Sequence, residues 1–345
     1  MPSKVVQITH ALALLPTVGA FLAPYLPPGQ PPSSRTTTRM SAHQVDHSLD
    51  RSTLIKNVAV GLLGTAVVGG GNADFQLIPG VNTDAYAAES VAQASPIAVV
   101  GAGGKTGKLV VEGLLRRGRA VRAITRTGEL TLKPATDNSG VLSTSAGDVT
   151  KIDSLKEALA GCSAVLFCAS ASKKGGNAEA VDYKGLVNTG QACVDLGIPR
   201  LVVISSGAVT KPDSVGYKVT NLFGNIMSFK RKGEVELEDM YAKAAKGTTY
   251  TIVRPGGLAD GPIIGPKGLE LNQGDTIGGV VNRADVAEVV IEAALSPAAA
   301  NTIFEVYEKK TAGPLQSGLP KPSGYEIAAD TYQAMLGGLK QGVGM

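Results

Sequence analysis

From residue 95 onward, short apolar runs alternate with stretches whose apolar residues recur at helical spacing. The apolar runs predict strands, because buried parallel strands are nearly continuous in hydrophobic residues; they lie at 97–100, 119–126, 141–145, 164–168, 200–205, 250–255 and 302–307. The amphipathic stretches predict helices at 106–117, 154–160, 178–196 and 285–295, with Ser154 and Glu157 as a capping box. Repeated strand–helix units predict an α/β fold, a Rossmann-type doubly wound parallel sheet flanked by helices.

The first strand leads at once into a glycine-rich turn, Gly101-Ala-Gly-Gly-Lys-Thr-Gly107, and then into a helix. Gly101, Gly104 and Gly107 stand three residues apart, where bare backbone serves a tight turn, close approach to a diphosphate and helix–strand packing. The helix N-terminus presents N–H groups and the positive end of its dipole to that diphosphate. A nucleotide triphosphatase loop does not fit, since Val99 stands where its first glycine belongs. The turn predicts a dinucleotide site, with a purely structural turn as the alternative.

The end of the second predicted strand bears on the choice of coenzyme. An acidic residue there accepts the ribose 2′-hydroxyl of NAD, but this chain has Arg126 and, nearby, Arg122. A guanidinium favours a 2′-phosphate, so the sequence predicts NADP (NADPH), with a solvated strand end as the alternative for Arg126. Asp148, after the third strand, is placed to accept from the adenine amino group or else to cap a turn. The small-residue loop at 169–176 can lie against the nicotinamide ribose.

Composition narrows the chemistry that the domain can perform. All three histidines lie within the first 47 residues, so the domain has none for nucleophilic catalysis or a transition-metal site, and no metal is expected. Cys162, Cys168 and Cys193 form no CxxC pair and are expected to be buried, reduced thiols. With 33 basic and 29 acidic residues and no tryptophan, the chain has neither the charge nor the aromatic surface of a nucleic-acid binder.

Residues 1–90 predict a disordered targeting presequence. Lys4 and the apolar stretch 8–26 are typical of a signal peptide, and the hydroxyl-rich, basic stretch 27–39 is typical of a transit peptide. The stretch 19–24, Gly-Ala-Phe-Leu-Ala-Pro, resembles the junction of the bipartite presequences used for import into complex plastids. The apolar stretch 57–71 is short and glycine-rich for a membrane span. A thylakoid-type signal is the more specific interpretation of this stretch. We therefore expect a plastid (chloroplast) protein, in the stroma rather than the NADPH-poor thylakoid lumen.

Three regions follow from these patterns. They are the presequence over 1–90, an NAD(P)-binding Rossmann domain over 95–310, and a linker with a C-terminal helix over 311–345. The pattern of that helix runs from 325 to 339, and it either packs on the core or forms an exposed docking helix. No spanning helix is expected in the mature domain.

Five motifs occur in order along residues 95–310. They are Gly101-Ala-Gly-Gly-Lys-Thr-Gly107, Val181-Asp-Tyr-Lys-Gly185 with Asn188, Val203-Ile-Ser-Ser206, Lys230-Arg-Lys-Gly-Glu234 and Tyr250-Thr-Ile-Val-Arg-Pro-Gly-Gly257. Together they resemble the NAD(P)H-binding, NmrA-like group of the atypical short-chain dehydrogenase/reductases. This group includes plastid proteins related to the NADPH-binding component of the chloroplast inner-envelope import apparatus.

The chain has only some of the catalytic residues that the resemblance leads us to expect. Family oxidoreductases donate a proton from a tyrosine four residues before a lysine that lowers its pKa, while a serine orients the carbonyl. Here Ile226 stands four residues before Lys230, and isoleucine has no proton to give. The resemblance leaves Ser206 for carbonyl contact, Lys230 for nicotinamide-ribose contact and Pro255 beside the carboxamide. Tyr217 is the nearby phenol, but no lysine follows it at that spacing.

Two functions remain open from the sequence. The first is an NADPH-dependent reductase acting on an unknown small-molecule acceptor, such as a flavin or quinone, that needs no proton from the enzyme. The second is a non-catalytic, redox-responsive NADPH-binding assembly or docking factor with a plastid protein partner. The predicted catalytic residues are Ser206 and Lys230, and the predicted coenzyme site comprises Gly101, Gly103, Gly104, Lys105, Thr106, Gly107, Arg126, Asp148, Val149, Ala169, Lys230 and Pro255.

Overall fold

An eight-stranded sheet forms the centre of the computed structural model, which describes residues 95–132, 140–171, 177–222, 224–244, 246–315 and 326–342. The strand order is β3-β2-β1-β4-β5-β6-β11-β8; β8 runs antiparallel to β11 and every other pairing is parallel. The strands are β1 Ile97–Val100, β2 Val121–Thr125, β3 Leu142–Ala146, β4 Ala164–Phe167, β5 Arg200–Ile204, β6 Thr249–Pro255, β8 Leu269–Asn272 and β11 Thr302–Glu308. The predicted doubly wound parallel sheet is confirmed.

Helices cover both faces of this sheet. They are α1 Lys105–Arg116, α2 Ile152–Leu159, α3 Leu186–Asp195, α4 Val215–Asn221, α5 Ile226–Lys243, α6 Arg283–Leu295 and α7 Tyr332–Gly337, and a π-helix, Glu179–Gly185, leads into α3. Alternate residues of each central strand face opposite layers: Val99 packs with α1 and α6, whereas Val100 packs with α2, α3 and α5. Each face therefore buries its own apolar core.

Two smaller sheets lie beside the main one. Strand β7 (Gly257–Ala259) pairs in parallel with β10 (Val280–Asn282), and β9 (Ile277–Gly278) pairs antiparallel with β12 (Gly313–Pro314). Short 3₁₀ turns span Pro266–Gly268, Pro297–Ala299 and Lys309–Thr311. The chain departs in opposite directions on either side of β1, towards β2 and towards β4, and such a reversal opens a ligand crevice at the carboxyl ends of the strands.

The structure corrects several predicted elements. Helix α2 begins at Ile152, and Ser154 accepts from the Asp148 N–H instead of capping the helix, so the predicted capping box is wrong. The predicted helix over 178–196 is divided, because its first turns are the π-helix. No pattern in the sequence led us to expect α4, the small sheets or the antiparallel β8.

The described part of the C-terminal tail packs on the domain. Helix α7 is shorter than the predicted 325–339, and its Met335 and Leu336 are buried in the layer formed by α1 and α6. The Ile327 backbone pairs with Leu271 of β8. The predicted presequence over 1–90 lies outside the described residues, and the division of the chain into three regions stays a prediction.

Candidate functional site

The glycine turn after β1 is closed by contacts that only bare backbone permits. Gly101 has a φ of 81°, and a Cβ at this position would come within 2.7 Å of the Ala169 backbone nitrogen. A Cβ on Gly107 would overlap the carbonyl oxygen of Gly101, so α1 starts directly against the turn. Gly103 is exposed, and a Cβ there would meet only Thr125 Cγ2, at 3.8 Å. Its outer side therefore leaves room for a ligand to approach the main chain.

The first turn of α1 has the properties of an anion site. Its N-cap is Gly104, which has no side chain to accept from the free N–H groups, and the first turn contains no acidic residue. Lys105 is exposed and Thr106 is half-buried at the same end. These donors and the helix dipole fit a diphosphate, and the bare turn before them gives it room.

Asp260, just after β7, lies beside this turn. Its Oδ2 is 3.1 Å from Lys105 Nζ, and its Oδ1 accepts from Arg283 at the start of α6. Hydrogen bonds from Lys105 and Arg283 lower the pKa of the Asp260 carboxyl. Lys105 and Asp260 are both largely exposed, so water weakens the pair and leaves the ammonium able to change partners.

The two arginines of β2 separate in the structure. Arg126 is exposed directly after the strand, at the carboxyl end where the ligand crevice lies. Arg122 instead donates to the carbonyl oxygens of Ala158 and Ala160, at 3.0 and 2.7 Å, and thereby fastens β2 to the end of α2. Only Arg126 stands where the sequence places a coenzyme contact.

Asp148 and Val149 follow β3 and form a turn. Asp148 Oδ1 accepts from the Thr150 N–H and hydroxyl, at 3.0 and 2.8 Å. These bonds lower the pKa of the Asp148 carboxyl, first of all the one from the Thr150 N–H, with a smaller contribution from the charge of Arg126. The Val149 carbonyl accepts from Asn188 Nδ2 at 2.9 Å. Asp148 therefore caps a turn, as in the second sequence-based alternative, and lies within the electrostatic reach of Arg126.

The loop after β4 binds a buried carboxylate that comes from the π-helix. Ala169 contacts Gly101, and the next two residues donate to Asp182: Ser170 Oγ at 2.6 Å and the Ala171 N–H at 2.8 Å. Asp182 lies in the π-helix and is 1% exposed. The π-turn thus directs an acidic side chain into the carboxyl-terminal edge of the sheet, and π-turns often occur at functional sites.

Lys230 is the second charged group at this edge. Its Nζ is 2.9 Å from Asp182 Oδ1, and its side chain is 11% exposed. The approach of α5 to the π-helix depends on Gly233, because a Cβ there would come within 2.9 Å of the Asp182 carbonyl oxygen. Lys230 was predicted from the sequence, whereas Asp182 and Ser170 were not; the motif 181–185 contains Asp182 but does not show that Lys230 is its partner.

Ser206 and Pro255 lie at the neighbouring carboxyl ends of β5 and β6. The Gly207 N–H donates to the Pro255 carbonyl at 2.7 Å, and Ser206 Oγ donates to the Gly207 carbonyl at 3.2 Å. Ser206 is half-buried and Pro255 is buried. The strand pairing of β5 with β6 therefore brings together two of the residues that the family resemblance selected.

Ile226 opens α5 and is half-buried, so an apolar side chain occupies the position of the proton donor. The hydroxyl of Tyr217 is 2.8 Å from Ser228 Oγ. Both residues line a cavity of about 560 Å³ beside the loop after β5, together with Val209, Thr210, Lys211, Pro212, Arg231 and Gly274. Tyr217 thus faces this cavity and has a hydroxyl partner within it.

A buried charge network extends behind that loop. Arg254 of β6 is fully buried; its Nη2 donates to Glu234 at 2.8 Å and its Nη1 to Glu305 at 3.3 Å. Burial and the nearby charge of Asp275 raise the pKa of Glu305 to about 7, against the opposing effect of Arg254. Sequence reasoning missed this network, because its members come from β6, α5, β11 and the segment after β8.

The remaining findings on the described part of the chain concern grouped metal ligands, the cysteines and long apolar helices. Within it, no three His, Cys, Asp or Glu side chains are grouped so as to hold a metal ion. Burial raises the pKa of the Cys168 and Cys193 thiols to about 12, and the pKa of Cys162 is also raised by burial. None of the helices within these described ranges is both long and apolar enough to cross a bilayer.

The relatives that share sequence with this chain include two chloroplastic proteins and a reductase. An uncharacterised chloroplastic protein of Arabidopsis thaliana is 31% identical over 253 residues, which is 70% of this chain and 86% of that protein. Protein TIC 62, chloroplastic, of Arabidopsis thaliana is 28% identical over 280 residues, 71% of this chain and 42% of its own length. Sanguinarine reductase of Eschscholzia californica is 32% identical over 135 residues, 38% of this chain and 46% of that enzyme. The chain therefore spans less than half the length of the two relatives with specific names.

A solved structure shares the fold of this chain, and a family model matches its sequence. The crystal structure of an oxidoreductase from Lactococcus lactis superposes with a TM-score of 0.52 at 19% identity, covering 63% of this chain and 92% of that one, which shows a common fold. A model of the NAD(P)H-binding family matches residues 101–297, from the glycine turn to the end of α6 and just beyond. Because that match spans more than half of the chain, the chain belongs to the NAD(P)H-binding family.

Proposed function

We propose that this protein is an NADPH-dependent reductase whose acceptor is a flavin, a quinone or a similar conjugated ring. The observation that carries the proposal is the neighbourhood of Lys230. There, a buried lysine–aspartate pair stands at the edge that also holds the dinucleotide turn, while isoleucine occupies the family's proton-donor position. When bound, the coenzyme supplies a hydride. The residues of the chain bind it, orient it and limit which acceptors can react.

The glycine turn and the first turn of α1 hold the diphosphate. Gly101 and Gly107 bring the main chain close, and the N–H groups after Gly104 face the negative charge, with Lys105 and Thr106 alongside. Gly103 leaves the approach open. Arrival of the diphosphate offers Lys105 a stronger partner than the exposed carboxylate of Asp260.

Arg126 selects the phosphorylated coenzyme. It follows β2 directly and is exposed in the crevice, where a 2′-phosphate would accept from its guanidinium. Asp148 lies close enough for the charge of Arg126 to contribute to the lowering of its pKa. We infer from the position of Arg126 that NADPH binds more tightly than NADH.

Lys230 orients the nicotinamide ribose. A lysine ammonium has three donors, and the Asp182 carboxylate fixes its position by accepting one of them. The other donors then serve the ribose hydroxyls, with Ala169 on one side and Pro255 beside the carboxamide. Ser170 and the Ala171 N–H complete the hydrogen bonds to Asp182, so the lysine is held before any ligand binds.

The nature of the acceptor follows from Ile226. Reduction of an isolated carbonyl requires a proton from a positioned acid, and isoleucine cannot supply one. A flavin or quinone accepts a hydride into a conjugated system and takes its proton from water. Ser206 then serves as a hydrogen-bond partner for an acceptor oxygen. The presence of a reductase among the relatives supports turnover of this general kind.

A second candidate function is coenzyme binding without turnover, as a redox-responsive docking factor. Ile226 favours it, since a binding protein needs no proton donor. The buried pair of Lys230 and Asp182 favours the reductase, because holding a charged lysine in place is costly unless its position matters.

NADPH oxidation measured against a panel of quinones and flavins separates these functions. We expect turnover with at least one acceptor, and a loss of about tenfold or more in kcat/KM for Lys230→Met. Lys232→Met is the matched control, because Lys232 is exposed on the same helix and lies over the ring of Tyr183. Tight NADPH binding without oxidation by any acceptor would instead support the docking factor.

We further propose that the protein works in the plastid stroma. The presequence pattern in residues 1–90 and the chloroplastic relatives support this assignment. A fluorescent protein fused behind residues 1–90 should enter the plastid. Retention of the fusion in the cytosol, when a known plastid presequence imports the same reporter, would contradict the assignment.

A further inference from the structure

A single buried carboxylate holds the loop that follows Ser206. Asp275 is 0% exposed and accepts from three donors of this loop: the Ala208 N–H at 2.6 Å, the Thr210 N–H at 2.8 Å and the Thr210 hydroxyl at 2.8 Å. All three bonds span more than 60 residues of chain, so the contact joins the end of β5 to the segment between β8 and β9. We call these bonds the Asp275 clamp.

Both ends of the shortest bond adopt an unusual backbone conformation. Ala208 has a φ of 66° and Asp275 a φ of 56°, in the left-handed region that L-residues with a side chain rarely occupy. Such conformations persist when the surrounding contacts determine them. Ala208 has no polar side chain to stabilise the conformation locally, so its backbone depends on the Asp275 clamp.

The clamp also fixes the segment that carries Ser206. On one side, the Gly207 N–H is held by the Pro255 carbonyl at 2.7 Å; on the other, the Ala208 N–H is held by Asp275. Ser206 therefore precedes two consecutive anchored amides. Loss of the second anchor would leave the Gly207 N–H as the one anchored amide of this pair.

The support beneath Asp275 leads to the helix that carries Lys230. The Asp275 N–H donates to Glu305 Oε2 at 2.9 Å, and the other oxygen of Glu305 accepts from Arg254. Arg254 in turn pairs with Glu234 of α5, one helical turn after Lys230. Buried polar contacts thus run without interruption from the Ser206 loop to the lysine helix.

We propose that Asp275 is a positioning residue, which sets Ser206 against the nicotinamide end of the site through Ala208. This inference rests on the proposed function only for the role of Ser206. The clamp itself is a property of the fold. It predicts that a change at Asp275 alters the nicotinamide end without altering how the diphosphate and the 2′-phosphate are held.

Asp275→Asn tests the clamp with the smallest change. Asparagine keeps the size of the side chain and tolerates a left-handed backbone, but its amide group presents an N–H₂ where one of the two loop amides needs an acceptor. We expect amide hydrogen exchange in the loop 206–210 to accelerate by about tenfold or more, because local opening becomes easier. The dissociation constant of NADPH should change by less than about twofold, whereas the emission of bound NADPH should shift and kcat should fall by about tenfold.

A second substitution separates positioning from general damage. Glycine adopts a φ of 66° without steric penalty, so Ala208→Gly in the Asp275→Asn background should recover much of the lost kcat and the native emission. A merely structural defect would not respond to this change. If Asp275→Asn fails to fold, Thr210→Val removes one bond of the clamp, and Thr210→Ser, which keeps the hydroxyl, is its control.

The outcomes decide separately on the two proposals. Unchanged exchange in the loop of Asp275→Asn, or accelerated exchange with native emission of bound NADPH and native kcat, would overturn the positioning role. If the wild-type protein oxidises NADPH with no acceptor, the reductase proposal fails. The exchange rates and the emission of bound NADPH then still decide whether Asp275 positions the loop against the nicotinamide.

Discussion

Asp182 and Lys230 form a buried ion pair between the π-helix and α5, with Oδ1 and Nζ 2.9 Å apart. The two partners are not equivalent. Asp182 also accepts from Ser170 Oγ and the Ala171 N–H. Among the described residues, by contrast, Asp182 is the one carboxylate that pairs with the Lys230 ammonium. Neutralising the aspartate therefore strands a buried cation, while removing the lysine leaves the aspartate with two donors.

This asymmetry predicts unequal losses of stability. Asp182→Asn should lower the free energy of unfolding by about 3 kcal/mol, because an unpaired buried charge is costly, and Lys230→Met should lower it by clearly less. The double substitution should be more stable than the sum of the single effects predicts. Denaturant titration measures all three.

A matched surface pair provides the control for this prediction. Lys184 and Glu179 lie 2.8 Å apart but are 61% and 47% exposed, so Lys184→Met should change the free energy of unfolding by less than about 1 kcal/mol. An effect of Asp182→Asn no larger than that of Lys184→Met would show that the buried pair does not stabilise the fold.

Arg126 and Arg119 flank β2 at its two ends. We expect only the first to contribute to the choice between NADPH and NADH. Arg126→Ala should raise the dissociation constant of NADPH by about tenfold, because the 2′-phosphate loses a charged hydrogen bond worth about 1.4 kcal/mol. The constant for NADH should hardly change. Arg119→Ala, an exposed arginine at the opposite end of the strand, should affect neither coenzyme. Fluorescence titration decides, and equal affinity of the wild-type protein for both coenzymes would refute the choice of NADP.

Substitutions at two glycines of the turn should separate an effect on stability from an effect on coenzyme binding. Gly107→Ala places a methyl group against the Gly101 carbonyl and should lower the unfolding free energy by about 2 kcal/mol or more, since backbone cannot yield easily. Gly103→Ala meets only Thr125 Cγ2 at 3.8 Å, so stability should be kept while coenzyme affinity falls. Thermal unfolding and NADPH titration on both variants test this. Normal coenzyme binding by Gly103→Ala would indicate that the diphosphate does not bind against this turn.

The sequence was sufficient for the parts of the fold that local patterns encode. The apolar runs located the parallel strands, and the spacing of Gly101, Gly104 and Gly107 located the turn, because these features depend on neighbours along the chain. The family resemblance selected Ser206 and Pro255, and the structure places them at adjoining strand ends. That both residues contact a coenzyme stays a prediction.

The charged interior could not be predicted in the same way. Asp275 contacts Ala208 across 67 residues, and Arg254 contacts Glu305 across 51 residues, so neither pair leaves a periodic signal. In the sequence, Asp182 is one acidic residue in an amphipathic stretch; neither the π-helix that carries it nor the close packing of that helix against Gly233 is visible there. Buried charge was therefore visible only once the elements were assembled.

Glu305 predicts how stability depends on pH. Burial, with the charge of Asp275, raises its pKa in the folded protein to about 7, against 4.5 in its unperturbed state. The folded state therefore binds the proton more tightly than the unfolded state, so this contribution to stability is complete below about pH 4.5 and is lost as the pH rises through about 7. The difference in pKa corresponds to about 3 kcal/mol at most.

Few other groups should obscure this effect near neutral pH. The only histidines lie within the first 47 residues, and Arg254, which faces Glu305 from β6, keeps its charge throughout the range. We expect the free energy of unfolding of residues 91–345 to decline between pH 5 and pH 8, and Glu305→Gln to remove most of that decline by making the group permanently neutral. Denaturant titrations at intervals of half a pH unit measure both slopes. A wild-type protein that gained stability over this range, with Glu305→Gln following the same curve, would show that folding does not raise the pKa of Glu305.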